Sequence, residues 1–354
     1  LKWLLKRKKE KQMNLGIVSY GLYLPSGFES ADEIAKKSGL KPEAVQALGI
    51  ERKFLPSADD QPIPMAAKAA EHAFEKASGV APQDIDVVIW TGEEYKDYIA
   101  QTASIRLQEE VGCRNAWAFD LIGQGVTSIV GLRMARDLMS GDDTVDTVLL
   151  AGGTRNVDLI DYANPDTHFL LAASASGGAL ILKRDHPENH LLDTAFCVDA
   201  EMADAVYVPA GGTEIPFSED NLNSALMYFQ VSHPEKLTKY LKKQWTSALG
   251  GIAKKLLTDK APDYLALRHL SIQDRQQVLD ALNVNSDQSL SLSEWGHHGP
   301  NDVIISLDLA FKAGAIQEGS RVVMVSGSIG FIYGAALIRW GQSKKINNGF
   351  RNGA

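Results

Sequence analysis

The chain is poor in cysteine, in long apolar runs and in positive charge, and each shortage excludes something. Its 354 residues hold two cysteines, Cys113 and Cys197. Two thiols cannot build a disulfide framework, and neither has neighbours at metal-ligand spacing, so no metal site is expected. A reducing cytoplasm is the expected compartment, since no secretory pattern opens the sequence. No apolar run reaches the roughly 18 residues that a bilayer span requires. Lys and Arg number 36 against 44 Asp and Glu, a net charge of −8. That balance excludes the basic face a nucleic-acid-binding protein needs.

What is present fits a soluble globular chain, with 45% hydrophobic and 23% charged residues. Such a length buries roughly three quarters of its unfolded surface and suits one large domain or two fused halves. Residues 1–12 (LKWLLKRKKEKQ) form a basic tail ahead of Met13. One reading is a membrane-surface helix carrying Trp3, Leu4 and Leu5; the plainer one is a solvated extension, with Met13 the first functional residue.

The stretch 116–139 (AWAFDLIGQGVTSIVGLRMARDLM) organises the rest. Residues 117–122 read as a buried strand, Gly123-Gln124-Gly125 as a tight turn, and Val126 onward as a helix. A strand, sharp turn and helix together make a mount for a nucleophile, because the helix N-terminus favours negative charge there. The turn offers Gly, Gln and Gly, so the reactive atom is missing. Ser128 lies a turn into the helix and reads as a packed small residue.

Taken in order, a strand is expected over 13–23, helices over 31–48 broken at 39–42, and an alanine-rich helix over 63–77. A strand over 85–91, the acidic pair Glu93-Glu94 and a helix over 102–111 precede the organising stretch. Strands follow over 147–151 and 173–183; the second is Gly-rich, as where another backbone approaches closely. Residues 189–223 lack periodicity and read as strands and loops over the site. A helix over 302–312 and strands over 321–325 and 331–340 close the globule, with a frayed polar tail after them. A helix–Gly–loop–strand unit ending at Thr91 recurs ending at Val325, and GGALILKR and GAALIRW close the two halves. Internal duplication in an α/β fold follows, with halves at 13–184 and 185–343 between the tails 1–12 and 344–354.

The segments LGIVSYGLYLP, LGIERK, AFDL and GSIGFIYGAALIRW, in this order and spacing, resemble the thiolase-fold condensing enzymes. The resemblance runs from Leu15 to Trp340 and is strongest to β-ketoacyl-acyl-carrier-protein synthase III and hydroxymethylglutaryl-CoA synthase. It implies a five-layer αβαβα sandwich and an acyltransferase that takes CoA or phosphopantetheine thioesters as substrates, with no other cofactor. It implies acyl-CoA or acyl carrier protein as partner. A homodimer is implied, with a heterodimer beside an active condensing enzyme as the alternative.

The resemblance also assigns positions. The acyl-accepting cysteine falls five residues after Asp120, on Gly125, which has nothing to acylate; no cysteine occurs from Arg114 to Phe196. The family's catalytic histidine falls on Arg268, or on His269 one residue later. The family's asparagine falls on His297, which is expected to donate to a thioester carbonyl, with His298 beside it. Glu94 stands where the hydroxymethylglutaryl-CoA branch keeps its acid/base glutamate. Gly327, Ser328 and Gly330 stand for the oxyanion-side loop. The CoA-clamping tryptophan and arginine have no counterparts around Glu43 and Ala47. Three functions stay open: an atypical condensing enzyme, a malonyl-thioester decarboxylase of the kind that carries glutamine at the elbow (here Gln124), and a non-catalytic acyl-binding or partner subunit.

Overall fold

The computed structural model describes residues 13–258 and 260–342; the expectations for 1–12 and 344–354 lie outside the described residues. The first half opens with β1 (Leu15–Tyr23) and β2 (Gly27–Ser30). Helix α1 (Ala31–Ser38) starts on a Ser30–Glu33 capping box, ends on Gly39 in the left-handed region, and is followed by α2 (Pro42–Ala47). Strand β3 (Arg52–Leu55) pairs with β2, and α3 (Pro62–Lys76) carries Pro62 in its first turn. Then come β4 (Val87–Trp90), α4 (Ala103–Val111), β5 (Trp117–Asp120), α5 (Thr127–Gly141), β6 (Thr147–Thr154) and β7 (Ser176–Arg184).

The second half begins with β8 (Glu188–Val198) and the short pair β9 (Val206–Tyr207) and β10 (Gln230–Val231). It continues through α6 (Pro234–Tyr240), α7 (Thr246–Lys254), β11 (Tyr264–Leu267) and α8 (Ile272–Leu282). Helix α9 (Asp302–Lys312), β12 (Arg321–Gly327) and β13 (Ile332–Gln342) complete it.

Nine strands hydrogen-bond in the order β11-β12-β13-β8-β1-β7-β6-β4-β5, and the β1–β8 joint rests on one pair, Gly16 with His190. Outward from that seam the halves read β1, β7, β6, β4, β5 and β8, β13, β12, β11. Each half places its first strand at the seam and its last beside it. This is a thiolase-like α/β fold of two related halves. Helices α5 and α9 each touch strands of both halves, α3 packs on β1, β6 and β7, and α7 packs on β12 and β13. The layers are therefore outer helices, sheet, α5 with α9, sheet, outer helices. A core of Ile17, Val126, Ile129, Val303, Ile304 and Met324, among others, fills the middle layer.

The glycine-rich strand ends have a steric cause. A Cβ on Gly177 would lie 1.9 Å from the Met65 carbonyl oxygen, and one on Gly153 would lie 2.0 Å from that of Pro62. Helix α3 thus rides directly on β6 and β7, its buried face made of Ala66, Ala69, Ala70 and Ala73.

Three expectations change. Strand β5 is a sheet edge with Trp117 half exposed, not a buried strand, because among the described residues β4 is its only neighbour. Residues 189–223 contribute β8, a full strand at the seam, whose polar Asn189, His190 and Asp193 mask any periodicity. The repeat was matched one unit out of step: sheet position pairs α9–β12 with α5–β6, not with α3–β4. Helix, glycine, loop and strand recur in any α/β repeat, and only the neighbouring strand distinguishes the units.

Candidate active site

A cleft of about 150 Å³ lies where β4, β11 and β12 end and α5 begins. Glu93, Gln124, Gly125, Arg268, His297 and Ser328 line its polar end. Its remaining wall is largely apolar, with Leu48, Ile160, Phe169, Leu241, Ile329 and Phe331 among the contributors. The turn before α5 holds Gln124 at φ +52°, a conformation that non-glycine residues seldom adopt and that is often kept at functional sites. Gly125 is buried, and a Cβ on it would meet the Ser328 Cβ at 3.4 Å and the Gly327 oxygen at 3.5 Å.

Arg268 dominates the site. Its Nε donates to the His269 carbonyl at 3.1 Å, one Nη donates to the Gly327 carbonyl, and the other donates to His297 Nε2 at 3.0 Å. The guanidinium packs 5.1 Å from the centre of the Trp245 ring. A guanidinium has five N–H groups and cannot accept, so two remain without a partner among the described residues, and His297 Nε2 must be the acceptor. The His297 proton therefore sits on Nδ1, which donates to Asp302 Oδ2 at 2.6 Å.

Asp302, fully buried at the start of α9, organises the neighbouring segments. It accepts from the backbone N–H of His269 at 2.9 Å and from that of His298 at 2.6 Å. Burial opposes its charge, but the His297 ring and these donors hold the carboxyl far below the ordinary range. Burial pushes His269 and His298 down to about 4, so both rings are neutral at pH 7. Glu93 is lifted to about 7 by burial, with Arg268 pulling the other way. Its Oε2 and the Ser328 Oγ are buried and, among the described residues, have no hydrogen-bond partner.

Several sequence expectations need correction against this geometry. Glu94 is exposed and Glu93 lines the cleft, because the residue after Gly92 turns in behind Gly299 while the next faces out. His297 reaches the cleft, but its Nε2 is taken by Arg268, so the donor presented to a ligand is the guanidinium. His269 forms part of the wall with its ring turned to the Gly49 carbonyl at 3.0 Å. His298 lies behind the cleft with Nε2 on the Trp295 carbonyl at 2.8 Å, a packing role. Gly330, at φ +85°, turns the β12–β13 connection without lining the cleft. Gly327 contributes its carbonyl to Arg268, whereas Ser328, Gln124 and Gly125 line the cleft. Asp302 and Trp245 went unmarked, since an Asp before an apolar helix reads as ordinary N-terminal charge.

Comparison with known proteins places this geometry. The family model for 3-oxoacyl-[acyl-carrier-protein (ACP)] synthase III matches residues 119–200, and its C-terminal counterpart matches 252–340. Both matched segments are similar to the synthase III family. The β-ketoacyl-[acyl-carrier-protein] synthase III of Syntrophomonas wolfei is 22% identical over 94% of this chain and all of its own length. That of Clostridioides difficile is 24% identical over 92% of this chain and 98% of its own. The solved 3-oxoacyl-(acyl carrier protein) synthase III of Pseudomonas aeruginosa superposes with a TM-score of 0.80 at 20% identity, covering 92% and 98% of the two chains. OleA of Xanthomonas campestris, solved with lauric acid and lauroyl-CoA, gives 0.75 at 16% identity, covering 92% and 99%. This synthase III-like chain thus shares the condensing-enzyme fold along nearly its whole length.

Proposed function

We propose that this synthase III-like chain takes acyl thioesters of CoA or of an acyl carrier protein into the cleft and acts on them without forming an acyl-enzyme. One observation carries the reading: Gly125 occupies the elbow position, and neither Cys113 nor Cys197 lines the cleft. Burial raises both thiols above their ordinary value, Cys113 to about 12, so neither is a ready nucleophile. The two free N–H groups of Arg268 suit the thioester oxygen as negative charge develops on it. Intact-protein mass spectrometry and isothermal titration with acetyl-, octanoyl- and malonyl-CoA test this. Saturable binding without a mass increase is expected; a covalent acyl adduct on the native protein would sink the reading.

A second reading, a non-catalytic subunit that holds an acyl chain or pairs with a competent condensing enzyme, has one observation in its favour. At about 150 Å³ the cleft falls below the roughly 300 Å³ at which small-molecule sites begin. Binding with no thiol, CO₂ or acyl product released would favour it.

A further inference from the structure

The polar end of the cleft contains a buried carboxyl oxygen, Glu93 Oε2, and a buried hydroxyl, Ser328 Oγ, that have no hydrogen-bond partner among the described residues. Glu93 is 3% exposed and Ser328 is 3% exposed, and both line the cleft beside Gly125. They converge through Gly299. A Cβ on Gly299 would fall 2.1 Å from Glu93 Oε1, and one on Gly125 would fall 3.7 Å from the Gly299 carbonyl carbon. The same added Cβ would touch Ser328. Glu93, Ser328 and the bare backbone of Gly125 therefore line the same polar end of the cleft, before the start of α5, together with Arg268. Burying a carboxyl oxygen and a hydroxyl without partners is costly, which favours a polar occupant that bonds to them. A water molecule needs two to four such partners and little volume.

We propose that water takes the place of the missing nucleophile and that the chain hydrolyses acyl thioesters, with Glu93 as general base. This rests on the thioester reading above and adds the acceptor. The Glu93 carboxylate removes one proton from water as its oxygen bonds to the thioester carbon. The carbonyl oxygen becomes the oxyanion and is held by the free N–H groups of Arg268. The C–S bond then breaks, the thiol leaves as thiolate and takes up the proton that Glu93 releases, and the carboxylic acid formed loses the remaining water proton to solvent. The products are a free carboxylate and a free thiol, and no other reactant is required. The carboxylate oxygen ends where the thioester oxygen began, against a guanidinium, the geometry that charge-assisted pairing favours. Glu93 titrates near neutrality because burial raises it against the pull of Arg268, while Asp302 and Glu94 push in the same direction as burial. His297 supplies no competing base, because its Nε2 already accepts from Arg268 and its Nδ1 donates to Asp302.

The test uses the full chain with octanoyl-CoA, following thiol release and the mass of octanoate formed in ¹⁸O-water. Release of CoA with one ¹⁸O in the acid and no protein adduct is expected. kcat/KM should rise with pH through about 7. Glu93→Gln, isosteric with the protonated acid, should keep the thermal midpoint and the affinity for octanoyl-CoA while kcat falls at least about 100-fold. Arg268→Lys, with the charge kept and the fork lost, should lose rate but retain folding. Binding of octanoyl-CoA without thiol release overturns hydrolysis and leaves thioester binding in the cleft standing. Neither binding nor release overturns both. Release undiminished in Glu93→Gln overturns the role of Glu93.

Discussion

Installing cysteine at Gly125 asks whether the elbow still holds its nucleophile geometry. Gly125 is not among the residues with positive φ, so a side chain meets no backbone penalty there. Its new Cβ would find the Ser328 Cβ at 3.4 Å, the Gly327 oxygen at 3.5 Å and the Gly299 carbonyl carbon at 3.7 Å, all ordinary van der Waals contacts. Replacing glycine at a compatible site stabilises by about 0.4–1 kcal/mol through the unfolded chain. The net change should thus stay within about 1 kcal/mol, and the thermal midpoint should move by no more than about 4 °C. The thiol would stand before the first turn of α5 and beside Arg268, both of which favour thiolate. Intact mass after octanoyl-CoA treatment should show one octanoyl group on Gly125→Cys and none on the native chain. Gly177→Ala is the steric contrast: its methyl would lie 1.9 Å from the Met65 oxygen, and a loss of about 3 kcal/mol or failure to fold is expected. The reasoning fails if Gly125→Cys folds with an unchanged midpoint yet resists both octanoyl-CoA and small alkylating agents.

Two further outcomes follow from the buried charges. Asp302→Asn removes the charged acceptor shared by the His297 ring and two backbone N–H groups, and should cost about 3–5 kcal/mol in urea unfolding at pH 7. The Asp302 carboxyl is depressed in the fold, so it stabilises above its unfolded value of about 3.9. The gap between native and variant should therefore close as pH falls below about 4; a constant gap would refute the pairing. His269 and His298 act in the opposite range. The unfolded chain protonates them near 6.5 while the fold keeps them neutral down to about 4. Stability should decline by about 3 kcal/mol per histidine over that window, and a flat urea midpoint between pH 6.5 and 4.5 would contradict their burial.

The helices were legible because their signals are local. The alanine run of α3, the Ser30–Glu33 cap and the break at Gly39 all sit within a few residues of what they determine. The positions of Gly125, Arg268, His297 and Ser328 in one cleft followed from resemblance, and the geometry brings those four together. Choosing Glu93 over Glu94 needed the turn after β4, where one residue's rotation decides which carboxylate is buried. Asp302 escaped notice because one of its partners, the His269 N–H, lies just past the end of β11 and far away in sequence. The step error in the repeat had the same origin: β12 and β4 read alike along the chain and differ only in their neighbours.

The three-residue turn before α5, Gln124–Val126, packs against Gly299–Asn301, the corresponding turn before α9. By strand order these turns are counterparts, so the site sits on the approximate dyad that relates the two copies of an ancestral unit. A locus on that axis is assembled by both copies at once and belongs to neither. The Gly125 turn is seated against its own duplicate, and Glu93 from the first copy closes on Gly299 from the second. Change at one elbow must therefore be accommodated by the other. Severing the chain near residue 186 would leave no half with a partial cleft: each would keep one wall of a room that exists only between them.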